Sequence, residues 1–302
     1  MKFAPKGIIP AMVTPFDKYN ELDENGIRSV IDYILKGNVH GIFISGSQGE
    51  FWALTKNEKE KIFKIAVDAV DGKIPIYAGT SAESTLETIE LTKMANDIGV
   101  DAASILTPYF INPDQNELLN HYIKIANKVD MPILVYSNPG RTGVKVSSTM
   151  LESLCEECEN VVGIKDSSGD LTITSEYINR CGDRISVLAG RDSLILATLV
   201  YGGKGAIAAC GNVVPGLIVK IYEDFISGDL KGALAAQSKL APLRSAFSLG
   251  SFPVVIKEAM SMMGFSVGHC RGPISPLSDT NRKKLIEVLV GLGVKVKNLS
   301  YS

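Results

Sequence analysis

Basic side chains are neither in excess nor clustered in this sequence, which argues against nucleic-acid binding. Lysine and arginine number 31 against 33 aspartates and glutamates, so the net charge is −2 over 302 residues. No apolar run approaches the roughly 20 residues that a membrane-spanning helix needs. The short apolar piece at the N-terminus is interrupted by Pro10 and Pro15, which indicates a first strand rather than a signal peptide. We therefore expect a cytoplasmic protein with no nucleic-acid or membrane partner.

Cysteine is scarce: there are five, and an odd number in a chain without a signal peptide favours reduced thiols. Cys155 and Cys158 have C-x-x-C spacing, but no second pair complements them, and the three histidines lie far away in sequence. Residues 151–158 have helical periodicity, with both cysteines on one stripe. Because a zinc site needs more ligands than this pair supplies, we expect ordinary helix thiols and no metal site.

Short apolar segments alternate with longer amphipathic ones over most of the chain. Eight of the apolar segments have strand character: residues 8–14, 41–45, 75–79, 102–107, 133–136, 161–165, 186–189 and 206–209. The segments between them have helical periodicity, as in residues 23–35, 56–70, 84–98 and 113–129. Parallel strands need such crossovers. Eight units in about 220 residues predict a closed (β/α)8 TIM barrel. An open doubly wound sheet is the alternative, but no G-x-G-x-x-G follows the first strand.

The strand pattern stops after Gly211. Residues 213–226, 230–246, 253–263 and 280–291 are helical in pattern, with no strand between them. The first of these helices completes the eighth unit of the barrel. We therefore predict that residues 1–228 form the barrel and that residues 229–302 form a C-terminal helical region.

The sixth strand runs directly into Lys165, and turn residues follow at once. Burying an ammonium group is costly unless it is paired or loses its proton. Val161, Gly163 and Lys165 would share one face of a strand, so that a residue without a side chain lies beneath the lysine and leaves room for a small molecule. A lysine that snorkels out at a strand end is the alternative.

The active site of a parallel barrel lies at the C-terminal ends of its strands. The second strand ends in residues 46–50, where glycines flank Ser47 and Gln48; this is either an anion-binding turn or a plain tight turn. The fifth strand ends at Tyr136, which would point inward beside Lys165, as a proton-transfer group or as a buried tyrosine with a hydrogen-bonded hydroxyl. Arg141 follows, either as a carboxylate-binding residue or as a surface arginine.

The seventh and eighth strands end in small residues, among them Gly190, which leave a cavity and expose backbone carbonyl groups. No cluster of metal-ligating side chains is found at the strand ends. An inward lysine, a tyrosine, hydroxyl groups and an arginine suit carbonyl chemistry through a Schiff base better than metal-assisted hydrolysis.

Together these motifs resemble the dihydrodipicolinate synthase and N-acetylneuraminate lyase family of pyruvate-dependent class I aldolases. The resemblance covers nearly the whole chain and is carried by residues 46–50, 75–80, 107–109, Tyr136 with Pro139, and 163–165. It implies a (β/α)8 barrel with a C-terminal helical region, usually assembled as a homotetramer that is a dimer of dimers. It also implies that no dissociable cofactor is needed.

The resemblance further implies a role for each matching residue. Lys165 corresponds to the lysine that forms a covalent imine with pyruvate, and Tyr136 to the phenol that relays protons. Ser47 and the backbone N–H groups of Ser47 and Gln48 correspond to the pyruvate carboxylate site, and Arg141 to the arginine that binds the carboxylate of the incoming aldehyde. The remaining implied substrate contacts are the backbone carbonyl of Ile207 and the small residue Gly190.

Two departures from the synthases of this family bear on the acceptor. Synthases usually have two threonines where this chain has Ser47 and Gln48. They also have a tyrosine that reaches into the neighbouring subunit's site where this chain has Phe110, and a phenyl ring cannot relay a proton. Arg141 nevertheless favours a synthase that joins pyruvate and aspartate semialdehyde, a step of lysine biosynthesis.

Other motifs resemble a different branch of the family. Residues 46–51 and 165–170 are similar to those of aldolases for 4-hydroxy-2-oxoglutarate and sugar acids, which generally lack the arginine. We predict the synthase reaction. The alternatives are cleavage of 2-keto-3-deoxy sugar acids, of 4-hydroxy-2-oxoglutarate or of N-acetylneuraminate-type substrates, and a non-catalytic sensor of 2-oxo acids.

Overall fold

The computed structural model of the protein describes residues 3–297, in which eight parallel strands form one sheet. The strands are β1 (Gly7–Pro10), β2 (Ile42–Ile44), β3 (Ile76–Gly79), β4 (Ala102–Leu106), β5 (Ile133–Ser137), β6 (Val161–Asp166), β7 (Ser186–Ala189) and β8 (Gly205–Ala208). They follow one another in the order β1-β8-β7-β6-β5-β4-β3-β2, and a parallel bridge from Ala11 to Phe43 joins the two ends. The predicted (β/α)8 barrel is therefore confirmed, and the open sheet is excluded.

Helices connect consecutive strands and continue after the last one. They are α1 (Glu24–Leu35), α2 (Lys56–Val70), α3 (Thr85–Ile98), α4 (Gln115–Ala126), α5 (Pro139–Thr142), α6 (Ser148–Glu157), α7 (Leu171–Cys181), α8 (Ile195–Val200), α9 (Pro215–Ile226), α10 (Leu230–Ser245), α11 (Val254–Met262) and α12 (Asp279–Gly291). The side chains of Asp23, Thr55 and Ser84 each accept a backbone N–H of the helix that follows. These caps explain why the sequence predicts the helix starts well.

The first strand is shorter than predicted. It ends at Pro10, and in the rest of the predicted segment 8–14 only Ala11 makes an isolated bridge, to Phe43. The chain leaves the sheet there because Val13 donates its backbone N–H to the side chain of Asn212 rather than to a neighbouring strand. The apolar residues that follow Pro10 are buried without being part of a strand.

Strand β6 contains a bulge, which changes the side chains that face the barrel interior. The register with β5 shifts between Val161 and Gly163, so Val162 is the extra residue. Val162 belongs to the inner core, whereas Val161 belongs to the core between strands and helices. The prediction that Val161 shares a face with Lys165 is therefore wrong. A Cβ on Gly163 would lie 3.3 Å from the side chain of Leu134, so there is no room for a ligand at that level.

The barrel interior is filled by a small apolar core at the level of the strands. Its side chains come from all the strands and include Ile9, Phe43, Tyr77, Ala102, Leu134, Val162, Leu188 and Ile207. A much larger core lies between the strands and the surrounding helices. Because the inner core closes the barrel below Lys165, a substrate can reach this lysine only from the C-terminal ends of the strands.

Helices α10 and α11 contact the loops at these C-terminal strand ends. The side chain of Gln237 on α10 donates to the carbonyl of Asp192, which follows β7, and Lys257 on α11 pairs with Glu50, which follows β2. The predicted boundary at residues 228 and 229 falls in the connection between α9 and α10, and a division into two domains there stays a prediction. Residues 1–2 and 298–302 of the predicted regions lie outside the described residues. Within residues 3–297, no helix combines the length and apolar character needed to cross a bilayer.

Candidate active site

A cavity of about 410 Å³ opens at the C-terminal ends of the strands. All of the predicted site residues line it: Ser47, Gln48, Tyr136, Arg141, Lys165, Gly190 and Ile207. These residues come from the ends of five strands and the turns that follow them, and they are brought together by closure of the barrel. The structure thus places the predicted residues in one site.

Lys165 is only 4% exposed, and its amine lies among aromatic rings. The Nζ atom is 4.1 Å from the ring centroid of Tyr136 and 4.6 Å from that of Phe43. Burial lowers the pKa of Lys165, whereas Tyr136 and Asp192 partly oppose that shift. A lysine with a lowered pKa is neutral more often at physiological pH, and the neutral amine is the nucleophilic form. The alternative of a lysine that snorkels to the surface is therefore wrong.

Tyr136 lies opposite Lys165 in the register between β5 and β6 and is buried. Its hydroxyl accepts a hydrogen bond of 3.0 Å from the Nδ2 atom of Asn138. Burial by itself would raise the pKa of Tyr136, but the Lys165 ammonium and the hydroxyls of Ser47 and Ser167 outweigh burial and lower it. A phenol of lowered pKa beside an amine of lowered pKa is suited to moving protons between substrate and protein.

Backbone N–H groups of the turn after β2 point to an anion site. The hydrogen bonds within this turn are donated by Gly49, Glu50 and Phe51, and within residues 3–297 no protein acceptor takes the N–H of Ser47 or Gln48. The turn passes very close to β3, since a Cβ on Gly79 would lie 2.1 Å from the carbonyl oxygen of Ser45. Two free N–H groups beside a hydroxyl form a cradle for a carboxylate.

The side chain of Gln48 forms a hydrogen bond with the C-terminal part of the chain. Its Nε2 atom donates to the carbonyl of Pro253 at 3.2 Å, and the residue is 2% exposed. Its Oε1 atom is buried without a partner in the described part of the protein. The amide therefore replaces a threonine hydroxyl with a link between the β2 turn and the segment that precedes α11.

Three guanidinium groups line the cavity, and they differ in how many of their donors are used. Arg191 donates to the carbonyls of Ser167 and Ser168, at 3.0 and 3.1 Å. Arg141 and Arg244, in contrast, make no side-chain hydrogen bond within residues 3–297. Each lies against a phenyl ring, at 4.7 Å for Arg141 and 4.5 Å for Arg244, and the Nε atom of Arg244 also forms an ion pair with the buried carboxylate of Asp192, at 3.9 Å. Guanidinium donors that no acceptor takes in a hydrogen bond are suited to binding an anionic substrate in the cavity, and Arg141 is the one of these two groups without an ion pair in the described residues.

Gly190 and Ile207 shape the floor of the cavity. A Cβ on Gly190 would lie 2.0 Å from the Oγ atom of Ser167, so a larger residue would displace that hydroxyl. The side chain of Ile207 belongs to the inner core. The pairing between β7 and β8 ends at Ala189 and Ala206, one residue before Ile207. The backbone at Ile207 stays paired with Ile9 of β1 but lies beyond the pairing with β7, and Ile207 lines the cavity.

Several cavity residues do not follow from the sequence. Ser167 lies two positions after Lys165, so the turn composition at the end of β6 could have indicated it. Arg244 and Phe247 lie at the end of α10 and just beyond it, and no local pattern connects them with the strand ends that precede them in the chain. Their position depends on how the C-terminal helices fold over the barrel.

Phe110 lies apart from the cavity. It follows β4 with a φ of 72°, and its side chain is 97% exposed. The neighbouring Tyr109 is half-buried against Phe51, with the ring centroids 5.7 Å apart. Within the chain, Phe110 is therefore not part of the cavity lining.

The cysteines form no disulfide in the structure. Cys158 is buried at the end of α6, and Cys155 lies one turn earlier on the same helix. Within residues 3–297, no three histidine, cysteine, aspartate or glutamate side chains lie close enough together to hold a metal ion. Cys158 belongs to the core between the strands and the helices, and Cys155 packs against that core.

The known proteins that this chain resembles in sequence and in structure have names that belong to one family. A family model described as the dihydrodipicolinate synthetase family matches residues 4–291. The 4-hydroxy-tetrahydrodipicolinate synthase of Methanoculleus marisnigri is 39% identical over 291 residues, covering 95% of this chain and 99% of the relative. The crystal structure of dihydrodipicolinate synthase from Aquifex aeolicus has a TM-score of 0.95 and 33% identity, covering 97% of this chain and all of that one (100%).

A third similar protein has been solved with a small molecule of the expected kind. YagE, a prophage protein of E. coli K12 described as belonging to the dihydrodipicolinic acid synthase family, is 32% identical with a TM-score of 0.93, covering 96% of this chain and 99% of that one. Its crystal structure is a complex with pyruvate.

Proposed function

The chain belongs to the dihydrodipicolinate synthetase family, and we propose that it is a Schiff-base lyase that condenses pyruvate with aspartate semialdehyde, as 4-hydroxy-tetrahydrodipicolinate synthases do. The observation that supports this most is the buried amine of Lys165, 4.1 Å from the Tyr136 ring, in a cavity that also holds an anion-binding turn. These groups supply the nucleophile, the proton relay and the carboxylate site that the reaction needs.

Covalent chemistry would begin at Lys165. Its neutral amine attacks the ketone carbon of pyruvate, and the resulting carbinolamine loses water to give an iminium. The iminium draws electrons from the adjacent bond, so that a methyl proton leaves and an enamine forms. The enamine carbon then attacks the aldehyde carbon of the acceptor, whose oxygen takes up a proton, and water finally releases the product and regenerates the amine. Tyr136 carries protons at the dehydration and at formation of the C–C bond.

Binding of the two substrates would use the ends of different strands. The pyruvate carboxylate lies against the N–H groups of Ser47 and Gln48 and the hydroxyl of Ser47. Arg141, whose donors no acceptor of the described chain takes, binds the carboxylate of the aldehyde. The carbonyl of Ile207 faces the reacting carbon, and Gly190 keeps the floor of the cavity clear. Since the reacting electrons are held on the imine of Lys165, the proposal includes no dissociable cofactor.

A second reaction is favoured by two observations. The amide of Gln48 is bound to the carbonyl of Pro253, and Phe110 is 97% exposed and has no hydroxyl. Position 48 therefore lacks a threonine hydroxyl in the cavity, and position 110, which would reach a neighbouring subunit's site, lacks a phenol. Both differences suit cleavage of a 2-keto-3-deoxy sugar acid or of 4-hydroxy-2-oxoglutarate to pyruvate and an aldehyde. The oligomer and compartment that we propose, a homotetramer in the cytoplasm, are common to both reactions.

Borohydride reduction in the presence of pyruvate tests the central step. Reduction fixes the imine as a stable adduct, and peptide mass mapping should find it on the peptide that contains Lys165. Lys165→Ala should abolish the adduct and the turnover, whereas Lys145→Ala, which removes an exposed lysine, should change neither. Turnover retained in Lys165→Ala would overturn the assignment, and binding of pyruvate without an adduct would support the sensor instead.

The acceptor is tested by a substrate panel. Consumption of pyruvate with aspartate semialdehyde, in excess over its release from sugar acids and 4-hydroxy-2-oxoglutarate, would support the synthase. The reverse order of specific activities would overturn the synthase and support the aldolase. Both results leave the adduct on Lys165 in place, so the chemistry and the acceptor are tested separately.

A further inference from the structure

We propose that the buried ion pair between Glu50 and Lys257 is a positioning device that holds the β2 turn in the shape that binds the pyruvate carboxylate. The proposal rests on the proposed function, because it concerns the turn to which that carboxylate is assigned. Lys257 belongs to α11, in the C-terminal part of the chain, and its Nζ atom lies 2.6 Å from the Oε1 atom of Glu50. Both side chains are 1% exposed.

The carboxylate of Glu50 is held from two directions. While Lys257 binds one oxygen, the backbone N–H of Arg271 donates to the other at 2.8 Å. The ring of Phe16 lies next to both cations, 4.0 Å from the Lys257 amine and 4.2 Å from the Arg271 guanidinium. Arg271 is itself anchored by a pair of hydrogen bonds to Glu58. A buried charge with partners on both oxygens has little freedom to move.

The backbone of the turn needs such support. Ser45 and Glu50 have φ values of 51° and 58°, in the left-handed region that residues with a side chain adopt only when their surroundings hold them there. Ser47 and Gln48 lie between these two residues. The hydrogen bond from Gln48 to Pro253 ties the same turn to the residue that precedes α11. Two independent contacts therefore connect the turn to one helix.

Neither Glu50 nor Lys257 lines the cavity, so neither can touch the substrate. Their effect must pass through the direction in which the N–H groups of Ser47 and Gln48 point. Hydrogen bonds weaken steeply when the donor is misaligned, so a turn that relaxes out of this shape binds a carboxylate less tightly. Glu50 and Lys257 are thus positioning residues for ground-state binding of pyruvate.

Four variants distinguish an effect of the ion pair on pyruvate binding from a general loss of folding stability. Glu50→Gln and Lys257→Met each leave one buried charge unpaired, and the double variant removes both charges. Glu258→Gln is the matched control, since Glu258 is the next residue on α11 and its buried carboxylate forms another ion pair, with the half-buried Arg282 of α12 and with no residue of the β2 turn. For each variant, the pyruvate concentration that gives half-maximal adduct after borohydride is measured, along with the rate at saturating pyruvate and the melting temperature.

We expect Glu50→Gln to raise the half-saturating pyruvate concentration about tenfold, which corresponds to about 1.4 kcal/mol, with the rate at saturation within about twofold of wild type. The double variant should recover most of the melting temperature, because removal of both charges leaves none unpaired, but it should keep the weakened pyruvate binding. Glu258→Gln should lower the melting temperature and leave pyruvate binding unchanged.

Two results would overturn the proposal. One is unchanged pyruvate binding in the double variant, which remains measurable even if a single variant does not fold. The other is pyruvate binding that falls in proportion to melting temperature through all four variants, Glu258→Gln included. A wild-type protein that forms no adduct with pyruvate would instead overturn the proposed function, and this proposal with it, and that result is seen before any variant is made.

Discussion

Replacing Tyr136 with phenylalanine separates the proposed proton relay from packing, because it removes one hydroxyl and keeps the ring 4.1 Å from Lys165. The Nδ2 atom of Asn138 loses its acceptor, and since a hydrogen bond contributes about 1 kcal/mol net, we expect stability to fall by about that amount. A positioned proton-transfer group typically contributes about 10²–10⁴-fold. We therefore expect kcat to fall by about that factor, which corresponds to about 3–5 kcal/mol of barrier.

The same variant has a second readout whose sign follows from the site. Burial lowers the pKa of Lys165, and Tyr136 partly opposes that shift. Without the phenol the pKa of Lys165 falls further. Because only the neutral amine attacks pyruvate, imine formation rises with pH through this pKa, and its rising limb should move to lower pH. The rate of adduct trapping by borohydride, measured against pH beside steady-state turnover, reports both effects.

Asn138→Ala is the control for this experiment, since it removes the donor to the phenol and keeps the phenol itself. It should lower kcat much less than Tyr136→Phe does. Wild-type kcat in Tyr136→Phe would refute the relay. A rising limb that moves to higher pH would refute the electrostatic argument, whatever happens to kcat.

The remaining predictions concern the acceptor and stability. Arg141→Gln should raise KM for the aldehyde about tenfold or more while pyruvate adduct formation stays normal, because one charge-assisted contact is lost; an unchanged KM would exclude Arg141 from acceptor binding. Arg244→Gln should raise the same KM if the donors of Arg244 that do not face Asp192 bind the acceptor, and a change in pyruvate binding instead would place Arg244 elsewhere. The hydrogen bond from Arg271 lowers the pKa of Glu58 to about 2. The folded pKa is below the unfolded value, so this stabilisation is present at neutral pH and is lost as pH falls from about 4.5 towards 2. In urea unfolding, Glu58→Gln should cost about 1–2 kcal/mol at pH 7, and a cost that persists at pH 2 would contradict this reasoning.

The barrel could be predicted from the sequence because each of its units is local. Strand and helix periodicities alternate eight times, and caps such as Asp23 and Thr55 mark where helices begin. Closure then brings the strand ends together without further information, which is why Lys165 and Tyr136 are neighbours as predicted. The bulge at Val162 could not be predicted from the sequence. The composition of residues 161–164 suits both the barrel interior and the face that packs against the helices, and only the pairing with β5 determines which side chain faces which side.

The rest of the site depends on contacts between distant parts of the chain. Lys257 has the sequence surroundings of an ordinary helix lysine, and only the folded structure places its amine against Glu50, 207 residues earlier. Arg244 is equally inconspicuous on α10. Polar residues of this kind are identified by their partners, and a single sequence does not show which residues are partners.

The residues proposed for imine chemistry lie on strands, whereas those proposed for binding the acceptor lie on other segments. This difference explains why the sequence predicts the chemistry more readily than the acceptor. Lys165 and Tyr136 lie on β6 and β5, where the sheet determines their separation. The two guanidinium groups of the cavity that make no hydrogen bond within residues 3–297 lie on other segments: Arg141 is on the short helix α5, and Arg244 is at the end of α10. Both contact phenylalanines in the segment between α10 and α11, at Phe252 and Phe247. Substitutions in that segment would therefore change the positions of both guanidinium groups and leave Lys165 and Tyr136 in place. It follows that substitutions at Phe247 or Phe252 should alter the choice of aldehyde without abolishing the pyruvate adduct on Lys165.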